Sequence, residues 1–203
     1  VSKSAAFRGL VSIGAYSFIG ESCWVSNSLI GNYSWIEKSV ELGAKKIFPS
    51  SFSNHSFSLS EGDFLFETSE YSKLTTNRFF YHKLPLTYIG NDVRICKGST
   101  IFSGVSLSDG VLVLPNSVVY EDAGPYAILA GNPAKVVGYR FADDIINQLL
   151  ASNWTNLDFS DLRVERRKNY MDIDYMLELI NSSFLKKRTS NYKAFNSFLK
   201  LSD

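Results

Sequence analysis

Cysteine and histidine are scarce, with two of each in 203 residues. Cys23 and Cys96 lie far apart without Cys-x-x-Cys spacing, which argues against a thiolate metal site and against a disulfide framework. His55 and His82 are too few for a three-histidine zinc centre, so no metal is expected. No apolar run approaches the roughly 20 residues that cross a bilayer, and no membrane insertion is expected. Neither sign of charge dominates, with 21 Lys and Arg against 20 Asp and Glu. Such a chain offers no electrostatic footprint for nucleic acid. A Gly-x-Ser-x-Gly nucleophile elbow is also missing, which removes one hydrolase class. The start shows neither Met nor a charged-then-apolar leader, and the expected setting is a cytoplasm that keeps both thiols reduced and buried. Hydrophobic residues at 45% and charged residues at 20% are ordinary for a folded globular chain.

What the sequence does have is a repeat. From Ile89 an aliphatic residue recurs every six positions, at Ile95, Ile101, Leu107, Val113 and Val119. Four residues after each stands a small or β-branched one: Val93, Ser99, Val105, Val111, Ser117 and Ala123. Turn formers such as Lys97-Gly98, Ser103-Gly104 and Pro115-Asn116 fill the gaps. An amphipathic helix would space its apolar residues by three and four instead. The same grammar runs through Ile13, Ile19 and Val25, slips by one residue, and resumes at Ile30, Ile36 and Leu42. One hexad makes a short strand and a corner, and three hexads close a triangular coil. Such coils stack at about the 4.8 Å strand spacing.

The expected organisation is a solenoid over residues 1–141 and a helical extension over 142–203. Within the solenoid, residues 49–88 break the hexads and form an insert, and a long irregular stretch in a compact domain is usually functional. This insert carries nine aromatics and both histidines. Beyond Phe141, Asp143 or Asp144 caps a helix with Ile145, Ile146, Leu149 and Leu150 on one face. A second helix is expected through Ile173, Met176, Leu177, Ile180 and Phe184, and a short third through Phe195, Phe198 and Leu199.

Three stretches resemble the xenobiotic and polysaccharide O-acetyltransferases of the hexapeptide-repeat superfamily. They are Ile30-Gly-Asn-Tyr-Ser-Trp-Ile36 with Asn54-His55; Phe79-Phe80-Tyr81 with Ile89-Gly-Asn-Asp-Val93; and Ala130-Gly-Asn-Pro-Ala-Lys135. Residues 145–154 are similar to that family's helix ending in Trp. The resemblance implies an all-β solenoid, a left-handed parallel β-helix with a long inserted loop. It also implies acetyl-CoA as co-substrate and a homotrimer whose sites lie between subunits.

Carried over by position, His55 matches the catalytic histidine, a base whose ordinary pKa suits proton removal from an attacking hydroxyl. Asn54, Phe80, Tyr81 and His82 are the expected acceptor-binding residues. The expected acetyl-CoA set is Arg94, Gly98, Ser103, Gly104, Asn132, Pro133, Lys135 and Arg140. Backbone N–H groups near Gly98 or Ser103-Gly104 would receive the developing oxyanion. Lys135 or Arg140 would meet CoA phosphates. The chain departs from the family at Arg94-Ile95-Cys96, where Trp-Ile-Gly is usual. An unpaired Arg94 near the reacting centre would favour an anionic acceptor.

The stretch after His55 reads Ser-Phe-Ser-Leu-Ser-Glu-Gly-Asp-Phe, unlike the Met-Asp-Gly-Ser pattern of antibiotic acetyltransferases. The expected acceptor is therefore a carbohydrate hydroxyl of a capsule, O-antigen or related cell-surface glycan. An antibiotic O-acetyltransferase of the same chemistry is the alternative. A catalytically silent structural β-helix stands as a third reading, from a different class.

Overall fold

A computed structural model describes residues 1–45, 84–159, 172–182, 185–187 and 195–198. The hexads become short strands paired in parallel, the all-β parallel β-helix solenoid that was expected. Thirteen strands run from β1 to β13 and divide among three faces. The first face carries the N-terminal halves of β1 (Ala6–Ile13) and β3 (Trp24–Ile30), then β5 (Glu41–Ala44), β8 (Thr100–Phe102) and β11 (Val118–Val119). The second face carries the C-terminal halves of β1 and β3, then β6 (Thr87–Ile89) and β9 (Ser106–Leu107). β2 (Phe18–Ile19), β4 (Trp35–Ile36), β7 (Arg94–Ile95), β10 (Leu112–Val113) and β12 (Ala127–Gly131) form the third.

Because successive side chains on a strand alternate, one residue per strand points inward. The inward rows are Val25, Leu42, Ile101 and Val119 on the first face, and Ile19, Ile36, Ile95, Val113 and Leu129 on the third; all are buried. Both cysteines are buried in these coils, and burial pushes both thiols above their ordinary pKa, so they behave as small core residues rather than nucleophiles.

Register explains where the repeat slips. Thr100 pairs with Val118, 18 residues on, whereas Trp24 pairs with Glu41, 17 on. Glu41 then pairs with Thr100, 59 residues on, 41 more than an ordinary coil. On the second face Ser28 pairs with Thr87, so the coil re-enters in register across the gap. The insert therefore replaces a single corner, the one between the first and second faces. Gly43, at φ 72°, lies next to its exit, where an added Cβ would fall 2.0 Å from the Ser26 carbonyl oxygen. Only glycine suits that place.

The corner between the second and third faces carries a polar ladder. Ala15 N–H donates to Asn32 Oδ1 at 2.9 Å, Asn32 N–H to Asn91 Oδ1 at 2.8 Å, and Asn91 N–H to Asp109 Oδ1 at 2.8 Å. Each side chain satisfies a turn amide of the coil before it, which is how a stack of tight turns avoids orphaned donors.

The last coil closes with β13 (Ala134–Tyr139), antiparallel to β12. Helix α1 (Asp143–Ser152) and helix α2 (Ile173–Asn181) then pack Ile146, Leu149 and Leu177 around Tyr126 at the second–third corner. Asp143 and Asp144 are not caps. They sit in the first turn of α1 behind Ala142, where they favour the helix dipole. Asp172 caps α2 by accepting from the N–H groups of Asp174 and Tyr175. The expected third helix is instead β14 (Phe195–Phe198), paired antiparallel with Leu10–Ile13 of β1. That pairing covers an edge the first coil leaves open on the second face, and edge pairing overrides a short helical pattern. Phe184 and Leu199 lie outside the described residues.

Candidate active site

Five expected site residues, Asn54, His55, Phe80, Tyr81 and His82, lie outside the described residues. The two feet of their segment are described. Ser103 N–H donates to the Ala44 carbonyl at 2.8 Å. Asn27 Nδ2–H reaches the Leu84 carbonyl at 3.4 Å, while Asn27 Oδ1 accepts from Leu10 N–H at 2.9 Å. Pro85 packs over Gly104, where an added Cβ would stand 3.0 Å from the Pro85 Cβ. Ser103 and Gly104 thus sit beside both feet of the insert. Phe102 and Tyr120 stack there, with ring centroids 4.3 Å apart.

Gly98 occupies the other edge of the first face, at the corner leading from the third face. Its φ of 71° and an Asn116 Oδ1 at 2.4 Å from any Cβ leave room for glycine alone. Beside this corner Gly131 N–H donates to Ser117 Oγ at 3.3 Å, which brings the Asn132-Pro133 turn near. Lys135 reaches Glu121 at 3.1 Å, with both side chains well exposed. Gly98, Ser103, Gly104, Asn132, Pro133 and Lys135 therefore border one surface, the first face of the last three coils. Its floor is Glu41, Thr100 and Val118, paired across adjacent strands.

Sequence reading did not single out Glu41. Partial desolvation by the atoms around it holds its carboxyl above the ordinary carboxylate range, although the residue as a whole is exposed. The signal was available, since Glu41 immediately precedes the inward Leu42 and so must point outward.

Two of the expected acetyl-CoA residues make ion pairs within the chain. Arg94, for which pairing with a carboxylate was the alternative to an anionic acceptor, donates through Nη2 and Nε to Glu37 Oε1 at 2.6 and 3.0 Å. Its guanidinium also lies 4.7 Å from the centre of the Trp35 ring. Glu37 stands one coil below, and its other oxygen accepts from Lys97 N–H at 3.1 Å. The hydrogen bond from Arg94 holds the Glu37 carboxyl below its usual range. The electrostatic case for an anionic acceptor loses its premise. Arg140, expected at a CoA phosphate, is at the second–third corner, across the prism from the first face. It donates there to Asp92 Oδ2 and to the Gly110 carbonyl, each at 2.8 Å. It clips the closing strand to two coils rather than joining the first-face surface.

No protein-family model matches the chain. Parts of it are similar to named enzymes. A probable macrolide acetyltransferase of Lysinibacillus sphaericus is 46% identical over 70 residues, 34% of this chain and 39% of the relative. A chloramphenicol acetyltransferase of Agrobacterium fabrum is 44% identical over 68 residues, 34% of this chain and 32% of the relative. The chain thus spans under two fifths of the length of these relatives. Among solved structures, a maltose O-acetyltransferase from Clostridium difficile aligns over 70% of either chain at 17% identity and a TM-score of 0.45. The polySia-specific acetyltransferase NeuO aligns over 78% of this chain and 63% of its own, at 21% identity and a TM-score of 0.44. The chain is built on a six-residue repeat, and about a third of its length is similar in sequence to named acetyltransferases.

Proposed function

We propose that the protein moves acetyl from acetyl-CoA to an alcohol hydroxyl by direct transfer. The observation that carries this reading is convergence on the first face: the feet of the segment holding His55 stand beside Ser103 and Gly104, whose turn borders the same surface as Gly98 and the 131–135 hairpin. His55 takes the proton of the acceptor hydroxyl as its oxygen attacks the thioester carbonyl. The carbon–sulfur bond then breaks, and the CoA thiolate recovers a proton from the imidazolium. Turn N–H groups at Gly98 or Ser103-Gly104 stabilise the oxyanion in between. Lys135, exposed at the closing hairpin, is the cation available to CoA phosphates, and its weak surface pairing with Glu121 is easily exchanged.

The acceptor we favour is a carbohydrate hydroxyl, on the strength of the aromatic insert and of its sequence after His55, with Asn54, Phe80, Tyr81 and His82 in contact with it. One observation favours a second reading: relatives similar over a third of the chain are named for macrolides and chloramphenicol. The active form is a homotrimer, in which the first face of one chain meets the insert of the next. Acetyl-CoA consumption with capsule-type oligosaccharides, macrolides and chloramphenicol, read by mass spectrometry for added acetyl, separates the acceptors. His55→Ala should keep the fold and lower turnover by about 100-fold or more. A variant retaining a third of the wild-type rate removes His55 from the mechanism.

A further inference from the structure

A cavity of about 520 Å³ lies between the second–third corner and the two helices, across the prism from the first face. One wall is a three-ring cluster of Tyr33, Trp154 and Phe159, with centroids 5.8 to 6.1 Å apart. Tyr33 is itself held in place, its hydroxyl donating to the Leu157 carbonyl at 3.0 Å. Ile173 and Met176 of α2 line the cavity as well. Its polar element is the pair of Asp92 and Arg140.

The guanidinium of Arg140 makes all its hydrogen bonds among the described residues through Nη1, to Asp92 Oδ2, Asp92 O and Gly110 O. Its Nε and Nη2 donors have no partner among those residues. The group cannot swing freely, because it lies 5.3 Å from the ring centres of both Tyr126 and Phe141. Fixed donors at the edge of an apolar, aromatic-walled cavity are the usual make-up of a small-molecule site, and the volume falls in the usual range.

We propose that this cavity binds a small neutral molecule, a flat ring carrying a carbonyl or hydroxyl oxygen that accepts from Arg140. The ring fits because aromatic walls favour offset or edge-on ring contacts. Neutrality follows from the pairing. The Asp92 carboxylate already balances Arg140, so an anionic ligand meets Asp92 and a cationic one meets Arg140, each without compensation. The site is independent of acetyl transfer, since none of its residues borders the first face.

The test is a fluorine NMR titration of the full chain with 4-fluoroacetophenone, alongside 4-fluorobenzoate and 4-fluorobenzylamine as charged counterparts. Wild type should bind the ketone saturably and at least ten-fold more tightly than either charged probe. Ile173→Phe and Met176→Phe each fill the cavity and should weaken the ketone at least ten-fold while circular dichroism stays unchanged; two positions are used so that one misfolded variant leaves the other informative. Arg140→Lys, which keeps the charge but loses the fork, should weaken the ketone several-fold. The proposal is overturned if wild type does not bind the ketone, if a charged probe binds as well, or if a folded cavity-filled variant binds as wild type does.

Discussion

Arg94 illustrates how a single side chain changes meaning once its neighbours are known. Its partner Glu37 is 57 positions earlier in the chain, and only the stacking of coils across the insert brings them within 2.6 Å. The pair is half exposed on the arginine side, so its contribution is of the surface kind, about 0 to 1 kcal/mol. Arg94→Gln should therefore lower the melting temperature by no more than a few degrees and leave the ratio of rates on matched acidic and neutral oligosaccharides unchanged. A selective loss on the acidic acceptor would restore a substrate role for Arg94. Glu41 allows a pH prediction. Its pKa is raised by burial, so the folded state holds its proton more tightly than the unfolded chain. The protonated form favours folding below the unfolded value near 4.3, and that benefit is lost as pH rises through the folded pKa. Glu41→Gln should melt above wild type at pH 7, with the gap closing as pH falls toward 4. A gap that is absent at pH 7, or that widens in acid, contradicts the assignment.

At the scale of elements the hexads were legible because alternation is strict: the inward residues from Ile13 to Leu42 and from Ile89 to Val119 follow the six-residue spacing apart from one slip, whereas Leu129 falls outside it. Ile101 is fully buried while Thr100, next to it, faces outward. Ile101→Ala should cost about 2–5 kcal/mol, as large-to-small core changes do, and Thr100→Ala well under that. Chemical denaturation of the pair measures the contrast, and similar costs would mean the register is wrong. Gly43→Ala should also destabilise strongly, since its Cβ has no room beside the Ser26 carbonyl. Legibility failed where a pattern was short and its partner distant. Phe195 and Phe198, three apart, look helical in isolation, and nothing local announces that their partners Ile13 and Leu10 on the edge of β1 lie 182 and 188 residues earlier. The Asp172 cap is hard to read for a different reason: it stands one residue before the apolar stripe begins at Ile173. The partners of Arg94 and Arg140 belong to other coils, so no local sequence window contains them.

At the scale of the whole molecule, a prism with flat sides leaves large apolar side chains on its surface. Phe18 and Trp35 on the third face are 46% and 49% exposed and meet edge to face, 6.5 Å between centroids. If the chain assembles with copies of itself as proposed, this pair is a surface on which they could meet. Sedimentation should show a trimer, and Trp35→Glu should shift it toward monomer while lowering activity. A fully active monomer would remove the requirement for sites between subunits. Among the described residues no helix is long and apolar enough to cross a membrane.

The re-entry of the coil at Thr87, in register with Ser28, carries a consequence for how such a protein changes over time. Because the frame closes on itself on either side of the gap, the segment between Ala44 and Leu84 is a detachable cassette. Closing a flexible chain costs free energy only as the logarithm of its length, roughly 0.6 kcal/mol for a doubling. Length and composition there can drift, or be exchanged wholesale, while the inward rows and the polar ladder stay untouched. One frame can thus carry a different segment there without relearning how to fold.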